Sequence, residues 1–156
     1  MKRIATFLFL VLTVAITAMA DNNKDMREMR YDDIPNIALE VLEQFFPNVT
    51  IVHALTHQSK LKNKIYIELD NGTNIEFDKN GVWLTVDCGI DCMPLNMLGP
   101  RIYSFFDSRY PDEVITRAER GVGHKGYIVC TMLDGVRFVF DSHGYYVKTV
   151  QPGKKL

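Results

Sequence analysis

Apolar residues recur along the chain in two rhythms, and each rhythm occurs twice. Ile34, Ile37, Ala38, Val41, Leu42 and Phe45 are spaced by three and four, which lines one face of a helix. Asp32 or Asp33 can cap its start, Pro35 suits its first turn, and Pro47 stops it. Leu95, Leu98, Ile102, Phe105 and Phe106 give a second such face, closed by Pro111. Gly99-Pro100 interrupts its early part and leaves its start open. After each helix the period shortens to two. Ile65, Ile67 and Leu69 alternate with Tyr66 and Glu68, Asn71-Gly72 marks a tight turn, and Ile75 and Phe77 continue the apolar side. Asp78-Lys79-Asn80-Gly81 turns the chain again, and Val82, Leu84 and Val86 alternate on the return. Asp134-Gly135 and Asp141-Ser142-His143-Gly144 supply the corresponding turns later. A further strand is expected near Val49 to Thr56 and near Glu113 to Arg120, where alternation is poor and the facing stays open.

The two regions match in order. Ile34, Ala38, Val41 and Leu42 correspond to Leu98, Ile102, Phe105 and Phe106 at an offset of 64, and Phe46-Pro47 to Tyr110-Pro111. At an offset of 63, Gly72 corresponds to Gly135, Phe77-Asp78 to Phe140-Asp141, Gly81 to Gly144 and Trp83 to Tyr146. The pattern predicts an α+β fold: a tandem repeat of one helix plus a four-stranded antiparallel sheet, the two sheets continuous. The expected divisions are a leader at 1–20, a linker at 21–31, repeats at 32–92 and 93–151, and a tail at 152–156. A unit of about 60 residues is marginal alone, so the copies are expected to share a core.

An apolar helix ending at aromatic-Pro, an alternating strand, a Gly turn, Phe-Asp-x-x-Gly and an aromatic two residues later therefore occur twice after an apolar leader. The residues are Pro35, Phe46-Pro47, Asn71-Gly72, Phe77-Asp78, Gly81 and Trp83, then Tyr110-Pro111, Gly135, Phe140-Asp141, Gly144 and Tyr146. This pattern resembles the bacterial PepSY-like secreted proteins, which look like the beta-lactamase inhibitory protein in architecture. The resemblance covers nearly the whole chain after the leader, and its motifs are mainly structural. Tyr146 departs from it by standing where the first copy has Trp83. It implies extracytoplasmic binding or inhibition without catalysis, and it brings no active site to carry over.

The leader itself reads MKRIATFLFLVLTVAITAMA. Two basic residues, an apolar stretch from Ile4 to Ile16 and the small-x-small triplet Ala18-Met19-Ala20 form the three-part pattern of an export signal. The apolar stretch is shorter than the ~20 residues that a spanning helix needs. Export with cleavage near Ala20 is expected, giving a secreted or periplasmic chain without a transmembrane segment. Loss of Lys2 and Arg3 takes the formal charge from −1 to −3. With no basic excess, nucleic acid is a poor candidate partner.

Candidate chemistry is sparse. Cys88 and Cys92, with three residues between them at the junction of the copies, are candidates for a small disulfide clamp, since export favours oxidation, or for two free thiols. Cys130 falls on the apolar side as a small hydrophobe. His53, His57, His124 and His143 show no metal-ligand spacing on the expected elements, so no metal or other cofactor is expected. Asp78 and Asp141 recur, but before x-x-Gly they read as turn builders. No nucleophile motif or phosphate-binding glycine loop occurs, so the chain is not expected to be an enzyme.

What remains is a surface. Alternation assigns Val82, Leu84 and Val86 to the covered side, which places Trp83, and its counterpart Tyr146, on the presented face. The expected binding surface comprises Tyr66, Glu68, Glu76, Trp83, Arg137, Tyr146 and Lys148, with the two aromatics carrying recognition. The sequence points to a non-enzymatic module that binds an extracytoplasmic protein or peptide through the exposed sheet face, with inhibition of an extracytoplasmic enzyme as one form of that binding. A small-molecule or peptide carrier of the cell envelope, using the same sheet, is the alternative.

Overall fold

The computed structural model describes residues 26–57 and 64–156; the expected leader at 1–20 lies outside the described residues. Among the described residues, nine strands form one antiparallel sheet in chain order: β1 (Met26–Glu28), β2 (Ile51–His57), β3 (Lys64–Leu69), β4 (Asn74–Asp78), β5 (Trp83–Asp87), β6 (Ile115–Val122), β7 (Tyr127–Met132), β8 (Arg137–Phe140) and β9 (Tyr146–Val150). Helix α1 (Asn36–Phe45) precedes β2, and α2 (Pro100–Arg109) precedes β6. A helix followed by four strands thus occurs twice along an α+β chain. The segment expected as linker over 21–31 contributes the additional strand β1, whose following residue Met29 donates its N–H to Ala54 O at 2.8 Å.

Both helices end as their sequences dictate. The Phe46 N–H bonds Leu42 O at 2.8 Å before Pro47, and the Tyr110 N–H bonds Phe106 O at 2.8 Å before Pro111. The open question of the second helix start is settled by Gly99. Its φ of 86° breaks the chain between a 3-10 turn over Leu95–Leu98 and α2, which starts on Pro100. The helices bury Ala38, Leu42, Ile102 and Phe106 against one sheet face. Across that face runs a row of paired residues, Ala54, Ile67, Ile75, Val86, Ala118, Cys130 and Phe138, every one buried. Burial of such a row is the main favourable term for a sheet this open on its other side.

Five register shifts interrupt the period of two; one, between Glu119 and Val122 of β6, stands alone, and the other four fall at corresponding places in the two halves. Val52 and Thr116 are skipped in the registers of β2 and β6, which explains the poor alternation of these strands. Leu84 and Val147 are skipped in β5 and β9. As a result Trp83 lies opposite Phe77, and Tyr146 opposite Phe140.

Each of these last two hairpins is built by one aspartate. Asp78 Oδ1 accepts from the N–H groups of Asn80 and Val82 at 2.8 and 2.9 Å. Asp141 Oδ1 accepts from those of His143 and Tyr145, both at 2.9 Å. Gly81 and Gly144 complete the turns with φ of 86° and 84°, as expected for an αL glycine. Their surroundings differ. A Cβ on Gly81 would stand 2.8 Å from Ala38 N, at the first turn of α1, whereas one on Gly144 would meet only Arg101 and Ile102 side chains, each at 3.4 Å. Gly81→Ala is therefore expected to cost more than Gly144→Ala. The left-handed conformation alone costs about 1–2 kcal/mol, and the backbone collision adds to it only at Gly81. Urea unfolding of both variants checks the order.

Candidate interaction surface

The face opposite the helices carries two long rows of side chains. One runs Leu55, Tyr66, Glu76, Thr85, Glu119, Val129, Val139 and Lys148 by direct cross-strand pairing. The other runs His53, Glu68, Asn74, Asp87, Arg117, Thr131, Arg137 and Val150. Of the expected surface, Tyr66, Glu68, Glu76, Arg137 and Lys148 stand in these rows. Glu68 and Lys148 are exposed, and Tyr66, Glu76 and Arg137 are half-buried.

Trp83 and Tyr146 do not join them. The bulges at Leu84 and Val147 turn both aromatics to the helix side. Trp83 is 5% exposed and belongs to the core, while Val82, expected inside, is 41% exposed. Tyr146 is 45% exposed but stacks on Phe105 of α2, with ring centroids 5.1 Å apart and planes 13° apart. The expectation that these two rings present a recognition surface on the open face is corrected accordingly.

The middle of the open face is organised by a residue the sequence reading did not single out. Arg117 donates to Asp87 Oδ2 at 2.5 Å and to Glu119 Oε1 at 3.0 Å. Partial burial works against its charge, but hydrogen bonds and attraction from Glu119 and Asp87 outweigh that and hold its pKa above the usual value. The signal was present as Arg117-x-Glu119 in a strand, but the bulge at Thr116 hid which side they face. Lys64 pairs with Glu76, whose hydrogen bond raises the Lys64 pKa, and burial beside Glu76 raises that of Tyr66. Further along, Val129, Val139 and Val150 pack as a small apolar cluster with Val122 and Tyr127, so this face turns from charged to apolar across the sheet.

No catalytic constellation emerges from the cysteines. Cys88, Cys92 and Cys130 are free thiols, so the pairing considered for Cys88 and Cys92 is not formed. Cys88 is buried at the end of β5, whereas Cys92 is exposed with its Sγ 3.5 Å from Met93 O. Burial pushes the Cys88 thiol up, and that of Cys130 up to about 12. Among the described residues, no three His, Cys, Asp or Glu side chains gather as metal ligands.

Two measurements check this assignment of sides. Trp83→Ala is expected to destabilise the fold by about 3–5 kcal/mol, as removal of a buried aromatic does, with thermal or urea unfolding as readout. In the native protein, Cys92 is expected to react with an alkylating reagent well before Cys88 and Cys130, which are expected to wait for unfolding; peptide mass mapping over a time course follows each thiol.

Solved structures share this architecture. A Bacteroides thetaiotaomicron protein, provisionally described as periplasmic and calcium-regulated, aligns with a TM-score of 0.72 at 22% identity, over 81% of this chain and 98% of its own. A periplasmic protein of unknown function from Bacteroides vulgatus aligns at 0.69 and 21% identity, over 81% and 99%. A second Bacteroides vulgatus periplasmic protein aligns at 0.72 and 21% identity, over 82% and 98%. Likenesses at this identity establish the fold. No curated protein matches the chain in sequence. The family described as beta-lactamase-inhibitor-like, PepSY-like matches residues 63–148, more than half of the sequence, and the chain belongs to that family.

Proposed function

We propose that this chain is an extracytoplasmic, non-enzymatic binding module that meets a protein or peptide partner with the open face of its sheet. The observation that carries the reading is the helix-free face itself. Its two side-chain rows cross from β2 to β9, placing exposed Glu68 and Lys148 on one continuous surface around the Arg117 ion-pair centre. A gradation from charged to apolar suits a protein interface, where polar groups set register and an apolar part excludes water. The leader at 1–20 and the periplasmic description of the structural neighbours support the compartment. The family description supports inhibition of an extracytoplasmic enzyme as the particular form of binding. The matching order of elements and the corresponding bulges support a tandem repeat as the origin of this wide face.

The test is site-specific photo-crosslinking in cells that make the protein natively. A crosslinking amino acid at Glu68 or Lys148 is expected to give a discrete protein or peptide adduct. One at Ile37, 50% exposed on α1, is expected to give none. Adducts from Ile37 alone would move the interface to the helices and overturn the reading.

A further inference from the structure

We propose that a cavity on the helix side of the sheet binds an organic carboxylate with a short apolar body. The cavity, of about 290 Å³, lies between the start of α2, the connection from β6 to β7, and the turn from β8 to β9. Arg120 lines it. The Arg120 guanidinium lies over the Trp83 ring, 3.8 Å from the centroid. Ring attraction favours the cation but offers no hydrogen-bond acceptor; Arg120 Nε is enclosed without a partner among the described residues, so a ligand in the cavity would meet the remainder of the guanidinium. The desolvation that lowers the Arg120 pKa acts in the same direction, since an anion beside it would restore the lost stabilisation.

The rest of the wall fits one class of ligand. Arg101 stands at the rim as a second cation, its Nη1 donating to His143 O at 3.1 Å. Among the described residues, no aspartate or glutamate lines the cavity to neutralise either arginine there. The first turn of α2 borders the cavity and adds a field favourable to negative charge. Leu98, Pro100 and Ile128 supply apolar wall. A guanidinium matches the planar carboxylate, and the apolar wall gives the body of the ligand somewhere to go. Bare phosphate would leave that wall unused. The site is on the opposite side of the sheet from the proposed partner surface, so either can fail without the other.

Trp83 is the only tryptophan of the chain and touches Arg120, which makes its emission a reporter of this site. The mature protein is titrated at constant ionic strength with 4-methylpentanoate, with 4-methylpentanamide and with inorganic phosphate. A saturable change in Trp83 emission is expected with the carboxylate, and affinity at least about tenfold weaker with the amide and with phosphate. Arg120→Gln is expected to abolish the response; because it also removes the Trp83 stack, its fold is checked by circular dichroism. Arg101→Gln, at the exposed rim, is the second variant and is expected to weaken binding several-fold with the fold intact. A tripeptide ending in leucine, with free or amidated C-terminus, separates the sources. Tighter binding of the free-ended peptide than of 4-methylpentanoate assigns the site to peptide C-termini, and weaker binding assigns it to small free carboxylates. Absence of a saturable response, equal response to the amide or phosphate, or undiminished binding by a folded Arg101→Gln and Arg120→Gln pair would overturn the proposal.

Discussion

Everything distinctive in this molecule depends on the ladder between β5 and β6. Three residue pairs join the halves there: Thr85 with Glu119, Val86 with Ala118, and Asp87 with Arg117. Val86 and Ala118 are completely buried, so the core row passes through the junction without a gap. The Cys88 N–H bonds Thr116 O at 2.9 Å and the Met93 N–H bonds Ile115 O at 2.8 Å, which tie the crossing chain down beside the same strands. Each half alone would leave one flank of its small core open to water, a severe loss for so few residues. The same ladder sets Arg117 between Asp87 and Glu119 and brings Arg120 over Trp83, so it also assembles both faces' most specific side-chain arrangements.

Much of this was legible because the signals were local. The helix faces around Ala38 and Ile102, the stops at Pro47 and Pro111, and the Asp-x-x-Gly turns each follow from a few neighbouring residues. The facing of Trp83 was not legible from alternation, because two apolar patterns compete in one strand. Val82, Leu84 and Val86 fit an unbroken period of two, and Trp83 with Val86 fits a strand carrying a bulge. The turn chemistry held the deciding information. With a left-handed Gly81 the chain pairs Asp78 with Val82, as the Asp78 N–H to Val82 O bond of 2.9 Å reflects, and Trp83 must then fall opposite Phe77. The same reasoning from Gly144 places Tyr146 opposite Phe140. Arg117 was a different case. Its partner Asp87 is thirty positions away, and only the pairing of β5 with β6 brings them together.

The outermost strand on one side, β9, has a further consequence. An unpaired strand edge is a template on which another chain can extend a sheet, and long flat edges do so readily. Here the strand has only five residues, is bent at Val147, carries Lys148, and runs into Pro152, which cannot donate a backbone hydrogen bond. The bulge that swings Tyr146 onto Phe105 is thus also a device against stacking of one molecule on the next. A sheet nine strands wide can keep a broad side free for contact while its margin discourages fibre-like growth.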